Sequence, residues 1–147
     1  EFKENDNGVI VIPDGTVLPN GFVIEGDAFC GGNLTCEGNL HCDGDLTCKG
    51  NLHCNGNLTC GGNLTCGGDL WCKGNLTCNG YLHCNGNLNI RGTRMVEWTG
   101  LYSVDGSGRH IMVFQSENGD HYVQAGCFRG TLDEFCERAG SEGKHKY

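Results

Sequence analysis

The sequence contains few prolines, methionines and aromatic residues, and it lacks any long apolar run. Its two prolines, two methionines and 8% aromatic content leave few large side chains for a broad globular core. No run approaches the ~20 apolar residues of a transmembrane helix, and none resembles a secretory signal. We therefore expect no membrane-spanning segment and a narrow core built from smaller residues.

A basic stripe is also absent. The 147 residues carry a net charge of −8, and six acidic residues accompany a single lysine, Lys3, over residues 1–29. Acidic and basic residues almost balance over residues 91–147, with eight of the former and seven of the latter. Because proteins that bind nucleic acids neutralise phosphates with clustered Lys and Arg, we expect no nucleic-acid partner.

What the sequence has in abundance is cysteine and glycine, arranged in a strict six-residue repeat. Residues 30–89 form ten consecutive units of the pattern Cys-x-Gly-[Asn/Asp/Tyr]-Leu-x with no change of register, which composition bias alone does not produce. The cysteines that open the units are Cys30, Cys36, Cys42, Cys48, Cys54, Cys60, Cys66, Cys72, Cys78 and Cys84.

This repeat predicts short strands rather than helices. A glycine in every sixth position would cost a helix about 1 kcal/mol each time. In Asn-Leu-Thr-Cys the polar and apolar residues alternate, so that Leu and Cys point to one side of an extended segment. We expect glycine at the corners, where it allows positive φ. Three units then close a coil, which predicts an all-β fold: a three-sided parallel β-solenoid, or β-helix, with 18 residues per coil.

Stacking at 18 residues assigns the outward side chains to three faces. Thr35, His53, Trp71 and Asn89 lie outside the first face. His41, Thr59 and Thr77 lie outside the second, and Thr47, Thr65 and His83 outside the third. Stacked asparagines such as Asn39, Asn57 and Asn75 are expected to form hydrogen bonds along the stack.

The repeat weakens gradually at its N-terminal side and stops at its C-terminal side. Ile12, Leu18 and Ile24 fill the cysteine position before Cys30, and Ile90 fills it after the last unit. We therefore predict a solenoid over residues 9–92, preceded by a tail or irregular cap at residues 1–8.

We predict a small capping domain at residues 93–140, followed by a flexible tail at residues 141–147. Strands are expected at 95–104, 110–115 and 121–127, separated by Gly-containing turns. Thr131 and Glu134 form a capping-box pattern, and the apolar residues after them have helical spacing. The prediction is a β-meander plus one helix that covers the edge of the last coil.

The Cys-x-Gly-x-Leu-x units resemble the Val-x-Gly-x-Ile-x hexads of bactofilins, which are polymer-forming bacterial cytoskeletal β-helices with three-sided coils. They are also similar to phage and prophage proteins in which Gly-Asn-Leu-x-Val hexads precede a short Trp/Tyr-containing C-terminal domain. The corresponding segments here are residues 97–102 and 122–127. The resemblance covers roughly residues 9–92 and implies a solenoid fold.

The cysteines of the repeat have three interpretations. The first is core packing, because isoleucine and leucine fill the same position outside the ten units. The second is a ladder of disulfides, although thiols one strand spacing apart lie somewhat beyond the ~3.8 Å between Cβ atoms that a relaxed bridge prefers. The third is a metal-thiolate core, although the five-residue gaps differ from the Cys-x₂₋₄-Cys spacing of zinc motifs. Core packing with free thiols predicts a reducing, cytoplasmic compartment, with secretion as the alternative.

No catalytic, cofactor-binding or metal-binding residues are predicted, and we expect the protein not to be an enzyme. His121 and Cys127 could share a strand face, but no group orients the histidine, and core packing accounts for both. Trp71, Tyr81 and His53 project outward and are candidates for a partner surface.

Three classes of function fit these observations. The first is a scaffold or interaction protein that presents its surface or associates end to end through its N-terminal coil. The second is a phage-encoded inhibitory module that binds a host defence enzyme. The third comprises ice binding through outward Thr and Asn columns and metal binding through the thiols. The first two require a protein partner or a second copy of the chain.

Overall fold

The structure, a computed structural model, describes residues 2–102, 110–125, 128–131 and 133–134. The chain divides into two compact units, residues 1–94 and 95–147. Within the described residues both units consist of β-strands and turns, and only Asp133 and Glu134 have helical backbone. None of the described segments is a helix of the length and apolar character needed to cross a membrane.

The first unit contains fifteen short strands. In chain order they are β1 (Lys3–Glu4), β2 (Ile10–Ile12), β3 (Thr16–Leu18), β4 (Phe22–Ile24), β5 (Ala28–Cys30), β6 (Leu34–Cys36), β7 (Leu40–Cys42), β8 (Leu46–Cys48), β9 (Leu52–Cys54), β10 (Leu58–Cys60), β11 (Leu64–Cys66), β12 (Leu70–Cys72), β13 (Leu76–Cys78), β14 (Leu82–Cys84) and β15 (Leu88–Ile90).

Three parallel sheets form the faces of a β-solenoid of about four turns. Face A contains β2, β5, β8, β11 and β14, face B contains β3, β6, β9, β12 and β15, and face C contains β4, β7, β10 and β13. Every parallel pair joins residues 18 apart, as in Leu58↔Leu76 and Cys60↔Cys78. The predicted solenoid, its coil length and its assignment of residues to faces are therefore confirmed.

The core consists of columns of leucine and cysteine. Leu46, Leu52, Leu58, Leu64 and Leu70 are completely buried, as are all repeat cysteines from Cys30 to Cys72. The aliphatic residues outside the ten units occupy the same columns, since Ile12 pairs with Cys30 and Ile90 pairs with Cys72. The cysteine position is therefore a core position, as predicted.

Ladders of Asn and Asp side chains connect the coils at all three corners. At one corner Asn57 N–H donates to Asn39 Oδ1, and Asn75 N–H donates to Asn57 Oδ1, both over 2.8 Å. The other two corners repeat this arrangement, with Asp in some steps, because an Asp oxygen accepts the same bond. The predicted asparagine ladder is thus present, and it joins side chains to the backbone of the next coil.

The repeat glycines have a different role from the one expected. Positive φ at glycine occurs in the described residues at Gly8, Gly15, Gly21, Gly26, Gly92 and Gly119, none of which is the third residue of a repeat unit. A Cβ at Gly56 would instead overlap the Asn39 side chain and lie 2.8 Å from the carbonyl carbon of Gly38. Positive φ was therefore the wrong explanation, and these glycines leave room for the Asn or Asp of the preceding coil.

Residues 3–9 form a hairpin rather than a loose tail. β1 pairs antiparallel with β2 through Lys3↔Val11 and Glu4↔Ile10. The Asn5 side chain closes the turn, because its Oδ1 accepts the N–H groups of Asn7 at 2.9 Å and Val9 at 3.0 Å. The sequence left two alternatives for residues 1–8, a tail or a cap. The described residues of this segment form a cap on one edge of face A.

Within its described residues, the second unit contains an antiparallel meander of four strands, of which the sequence predicted three. They are β16 (Thr93–Tyr102), which begins in the last residues of the first unit, β17 (His110–Ser116), β18 (His121–Ala125) and β19 (Phe128–Thr131). The strand β19 was not predicted, and it pairs with β18 through Tyr122↔Thr131 to Ala125↔Phe128.

The predicted capping box is formed. Thr131 N–H donates to Glu134 Oε1 at 2.8 Å, and Glu134 N–H donates to Thr131 Oγ1 at 3.1 Å. The rest of the predicted helix and the tail at 141–147 lie outside the described residues. The expected packing of this unit on the last coil stays a prediction.

Candidate functional site

An aromatic and basic cluster lies on the outside of face B. The Trp71 side chain on β12 is 42% exposed, and the His53 ring on β9 contacts it edge-on with 4.6 Å between ring centroids. Lys73 Nζ lies 5.8 Å from the centre of the Trp71 ring, within the range of a cation–π contact. His53 is held in place by Asn55, whose Oδ1 is 2.8 Å from His53 Nε2. We call His53, Trp71 and Lys73 the face B cluster.

Tyr81 does not belong to this cluster. It occupies the corner between faces C and A, where its N–H continues the Asn ladder by donating to Asn63 Oδ1 at 2.8 Å. In a three-sided coil this corner lies opposite face B. Tyr81 is 69% exposed, but the structure separates it from His53 and Trp71, so that the three predicted residues do not form one surface.

Each histidine of the repeat is paired with an Asn or Asp two residues later. His41 Nε2 is 2.6 Å from Asp43 Oδ1, and His83 Nε2 is 2.7 Å from Asn85 Oδ1, which repeats the geometry of His53 and Asn55. The signal in the sequence is His-Cys-[Asp/Asn], which all three repeat histidines share and which the sequence prediction missed. The pairs fix the orientation of each ring on three different faces, so the histidines do not converge on one site.

The ten repeat thiols are free and donate hydrogen bonds to the backbone at the corners. Cys48 Sγ lies 3.0 Å from the carbonyl oxygen of Gly32 and 3.4 Å from that of Asn51. Cys54 repeats this arrangement with Gly38 at 3.1 Å and Asn57 at 3.5 Å. Cysteine is thus more than a small apolar residue in this position, because its S–H group can satisfy a carbonyl that turns inward at the corner.

Burial and contacts between stacked thiols change their acidity. Desolvation by burial raises the pKa of Cys48 to about 12, and it also raises the pKa of Cys36. Cys84, in the last strand of face A, is only half-buried. A hydrogen bond from the Cys66 thiol lowers the pKa of Cys84 to about 7. The protonated form is therefore favoured at Cys48 and Cys36, whereas hydrogen bonds from stacked thiols lower the pKa of Cys60 and Cys72. Cys84 is the one partly exposed thiol among the ten repeat cysteines.

The described residues contain no group of three or more His, Cys, Asp or Glu side chains arranged to hold a metal ion. His121, which the sequence placed beside Cys127, is exposed on β18, and Cys127 lies outside the described residues. Core packing was therefore the wrong expectation for His121. The described geometry brings together no nucleophile and base from the sequence candidates.

The first coil differs from the others on its outer surface and at its edge. Its three outward positions hold Val11, Val17 and Val23, which are 38%, 56% and 52% exposed, where later coils hold mainly Thr, His or Asn. β1 pairs with the outer edge of β2, whereas among the described residues no strand pairs with the outer edge of β3 or β4. The first coil thus combines exposed apolar side chains with two unpaired strand edges.

Comparison of the chain with known protein families, with curated protein sequences and with solved structures finds no match. The fold and the surfaces described above are therefore the basis for an assignment of function.

Proposed function

We propose that the protein is a non-enzymatic scaffold whose β-solenoid associates with further copies through its first coil. The observation that carries this proposal is the ring of Val11, Val17 and Val23 beside the unpaired edges of β3 and β4. Strand edges that are unpaired and flanked by apolar side chains favour pairing with another chain. The hexads, similar to those of polymer-forming bactofilins, support the same kind of contact.

The rest of the stack is suited to the role of a rigid support. Each coil is joined to the next by parallel strand pairing on three faces and by the Asn and Asp ladders at three corners. Repeat proteins of this kind have a stability that adds up from contacts between neighbouring repeats, so their shape is maintained along the whole stack. A surface at one end can therefore be held at a fixed distance from a surface on a face.

The test replaces the exposed valines by the residue that the repeat itself uses. Val17→Thr together with Val23→Thr keeps the size and branching of the side chains and removes apolar surface from the first coil. We expect the wild-type protein to increase in mass with concentration in light scattering, and the double variant to remain a monomer at the same concentrations. Thr65→Val, in the outward position of a central coil, is the matched control and should leave the mass of the wild type unchanged. A wild-type protein that stays monomeric at high concentration would contradict self-association.

The face B cluster favours a second candidate function, which is binding of a partner protein. Trp is enriched among the residues that contribute most binding energy at protein interfaces, and the exposed Trp71 ring is oriented by its contacts with His53 and Lys73. In a pull-down from bacterial lysate, Trp71→Ala should release a specific partner, whereas Tyr81→Ala, at the opposite corner, should retain it. Loss of the partner with Tyr81→Ala alone would assign binding to the corner instead. An inhibitor of a host defence enzyme would be one protein of this class.

A further inference from the structure

Charge is distributed unequally along the axis of the solenoid. Residues 2–45, which include the first two coils, contain eight acidic residues and one lysine. Residues 46–94 contain one acidic residue, Asp69, and four basic residues, Lys49, Lys73, Arg91 and Arg94. Residues 95–147 again contain more acidic than basic residues, eight against five. The only stretch with a positive surplus is therefore the second half of the solenoid, which we call the basic half. Residues 2–45 are called the acidic half.

The reversal is visible in a single corner column. Between faces B and C the residue that follows the cysteine position is Glu37, then Asn55, Lys73 and, after Ile90, Arg91, each one coil after the previous one. All four side chains are exposed. A column that changes from negative to positive along its length gives this corner an axial polarity.

The two ends of the solenoid are far enough apart to act as separate charged surfaces. The first and fifth coils are four strand spacings apart, which corresponds to about 19 Å. This distance exceeds the Debye length of ~10 Å at 0.1 M salt. A molecule that approaches one end is therefore influenced mainly by the charges of the half that contains this end.

This polarity decides between the possible contacts of the first coil. Two first coils brought together would place two acidic halves side by side, which is unfavourable. The first coil of one copy and the basic half of another have opposite charges. We infer that the occupant of the first coil is the basic half of a second copy of the chain, so that self-association joins unlike ends. This inference rests on the self-association proposed above and specifies its geometry.

Salt is the first test of the contact. Because the attraction arises between exposed groups, its strength should fall as salt shortens the Debye length. We expect the dissociation constant, measured by sedimentation equilibrium, to rise roughly tenfold between 50 mM and 300 mM NaCl. A contact between two first coils would show the opposite trend, with tighter association at higher salt.

Charge reversal provides the decisive experiment. The acidic-half variant carries Glu25→Lys and Glu37→Lys, which are exposed and whose side chains take no part in the corner ladders described above. The basic-half variant carries Lys49→Glu and Lys73→Glu. Each variant alone should associate roughly tenfold more weakly than the wild type, since each faces a weakened partner surface. An equimolar mixture should recover association, because the unchanged basic half of the first variant meets the unchanged acidic half of the second.

The control for net charge is a variant with Glu117→Lys and Asp120→Lys, in the turn between β17 and β18. It changes the charge by the same amount as the acidic-half variant, at exposed positions outside the solenoid. It should associate as the wild type does.

The outcomes separate this inference from the proposed function. Association that tightens in the acidic-half variant, or that ignores salt in all variants, would overturn the pairing of unlike ends and leave self-association standing. A wild-type protein that is monomeric under every condition would overturn both. Recovery in the mixture, with a mass of either a closed pair or a longer row, supports the inference.

Discussion

At the scale of single residues, the repeat depends on a close contact between glycine and the Asn or Asp of the preceding coil. Asn39 lies in the space where a Cβ of Gly56 would be, and from there its Oδ1 accepts the N–H of Asn57. A side chain at Gly56 and the ladder bond are therefore mutually exclusive. The requirement for glycine is a packing requirement between coils rather than a backbone requirement within one coil.

Two glycine substitutions test this explanation. Gly56→Ala should lower the free energy of unfolding by about 2 kcal/mol, because the new methyl group overlaps both a side chain and the backbone of the preceding coil. Gly31→Ala is the matched control, since a Cβ there meets no atom within 4 Å and φ is not positive, and its effect should be below about 0.5 kcal/mol. Urea unfolding followed by circular dichroism measures both. Equal losses in the two variants would show that glycine acts through the backbone instead.

The sequence predicted which residues point inward, but it could not reveal this glycine contact. Alternation of Leu and Cys with polar residues is a local pattern, and a strand converts it directly into a buried side and an exposed side. The overlap of Gly56 with Asn39 joins residues 17 apart and depends on the stacking geometry. The bonds from Cys48 to corner carbonyls were missed for the same reason.

At the scale of elements, strands of three residues are too short to be stable alone, so that their pairing between coils decides their stability. The Asn and Asp ladders add one bond per coil and per corner to this pairing. Their variation between Asn and Asp is explained by the acceptor, because Oδ1 is the only side-chain atom that the ladder bonds use.

Substitutions at Asn57 test the ladder. Asn57→Ala removes the acceptor for the Asn75 N–H and should cost about 1 kcal/mol of unfolding free energy. Asn57→Asp keeps an oxygen in the same place and should stay within about 0.5 kcal/mol of the wild type. Thermal or urea unfolding of the two variants provides the measurement. If Asp destabilises as much as Ala does, the amide group rather than the oxygen is what matters at this corner.

The elements that the sequence did not predict are those with weak local patterns. β19 consists of Phe-Arg-Gly-Thr, which includes a glycine and lacks a clear alternation, and it is followed at once by a helix-start signal. β1 contains only Lys3 and Glu4, so it offers no apolar residue to predict a strand. Both exist because a neighbouring strand provides the pairing.

At the scale of the whole molecule, the buried thiols make stability depend on alkaline pH. An unfolded thiol loses its proton near pH 8.5, whereas the pKa of Cys48 in the folded protein is raised to about 12 by burial. A raised pKa contributes stability that is complete below the unfolded pKa and declines as the pH rises toward the folded value. Alkaline pH should therefore destabilise the solenoid.

Unfolding in urea with a reductant, at pH 7.5 and pH 9.5, measures this effect. Each thiol that keeps its proton in the folded state should contribute a loss of about 1.4 kcal/mol at pH 9.5. Cys48→Val removes one such thiol and keeps an apolar residue in the core, so that its loss between the two pH values should be smaller by about that amount. The same loss in Cys48→Val and in the wild type would mean that the thiol at this position does not titrate on unfolding.

The axial charge reversal follows from the sequence once its charges are counted by coil. Counting charge over residues 1–29 and 30–90 separates the acidic start from the repeats and shows only a modest negative surplus in the latter. The count over residues 2–45 and 46–94 shows the reversal, and stacking places Glu37, Lys73 and Arg91 in one corner column. The coil geometry gives each of these charges a position along the axis, and this gives the reversal its direction.

Pairing at intervals of 18 residues also sets how the length of the solenoid can change. The core repeats every six residues, whereas the pattern of outward side chains on each face repeats every 18. The core would keep its packing after removal of one six-residue unit, because every unit contributes the same leucine, cysteine and glycine. The outer surface would change, since deletion of a unit between His53 and Trp71 would rotate Trp71 and all later outward residues by one face and move Trp71 away from His53. Only a change of 18 residues preserves the surface, and it alters the length by one strand spacing, about 4.8 Å. The spacing between the two ends can thus be lengthened or shortened in whole coils while each face keeps its pattern.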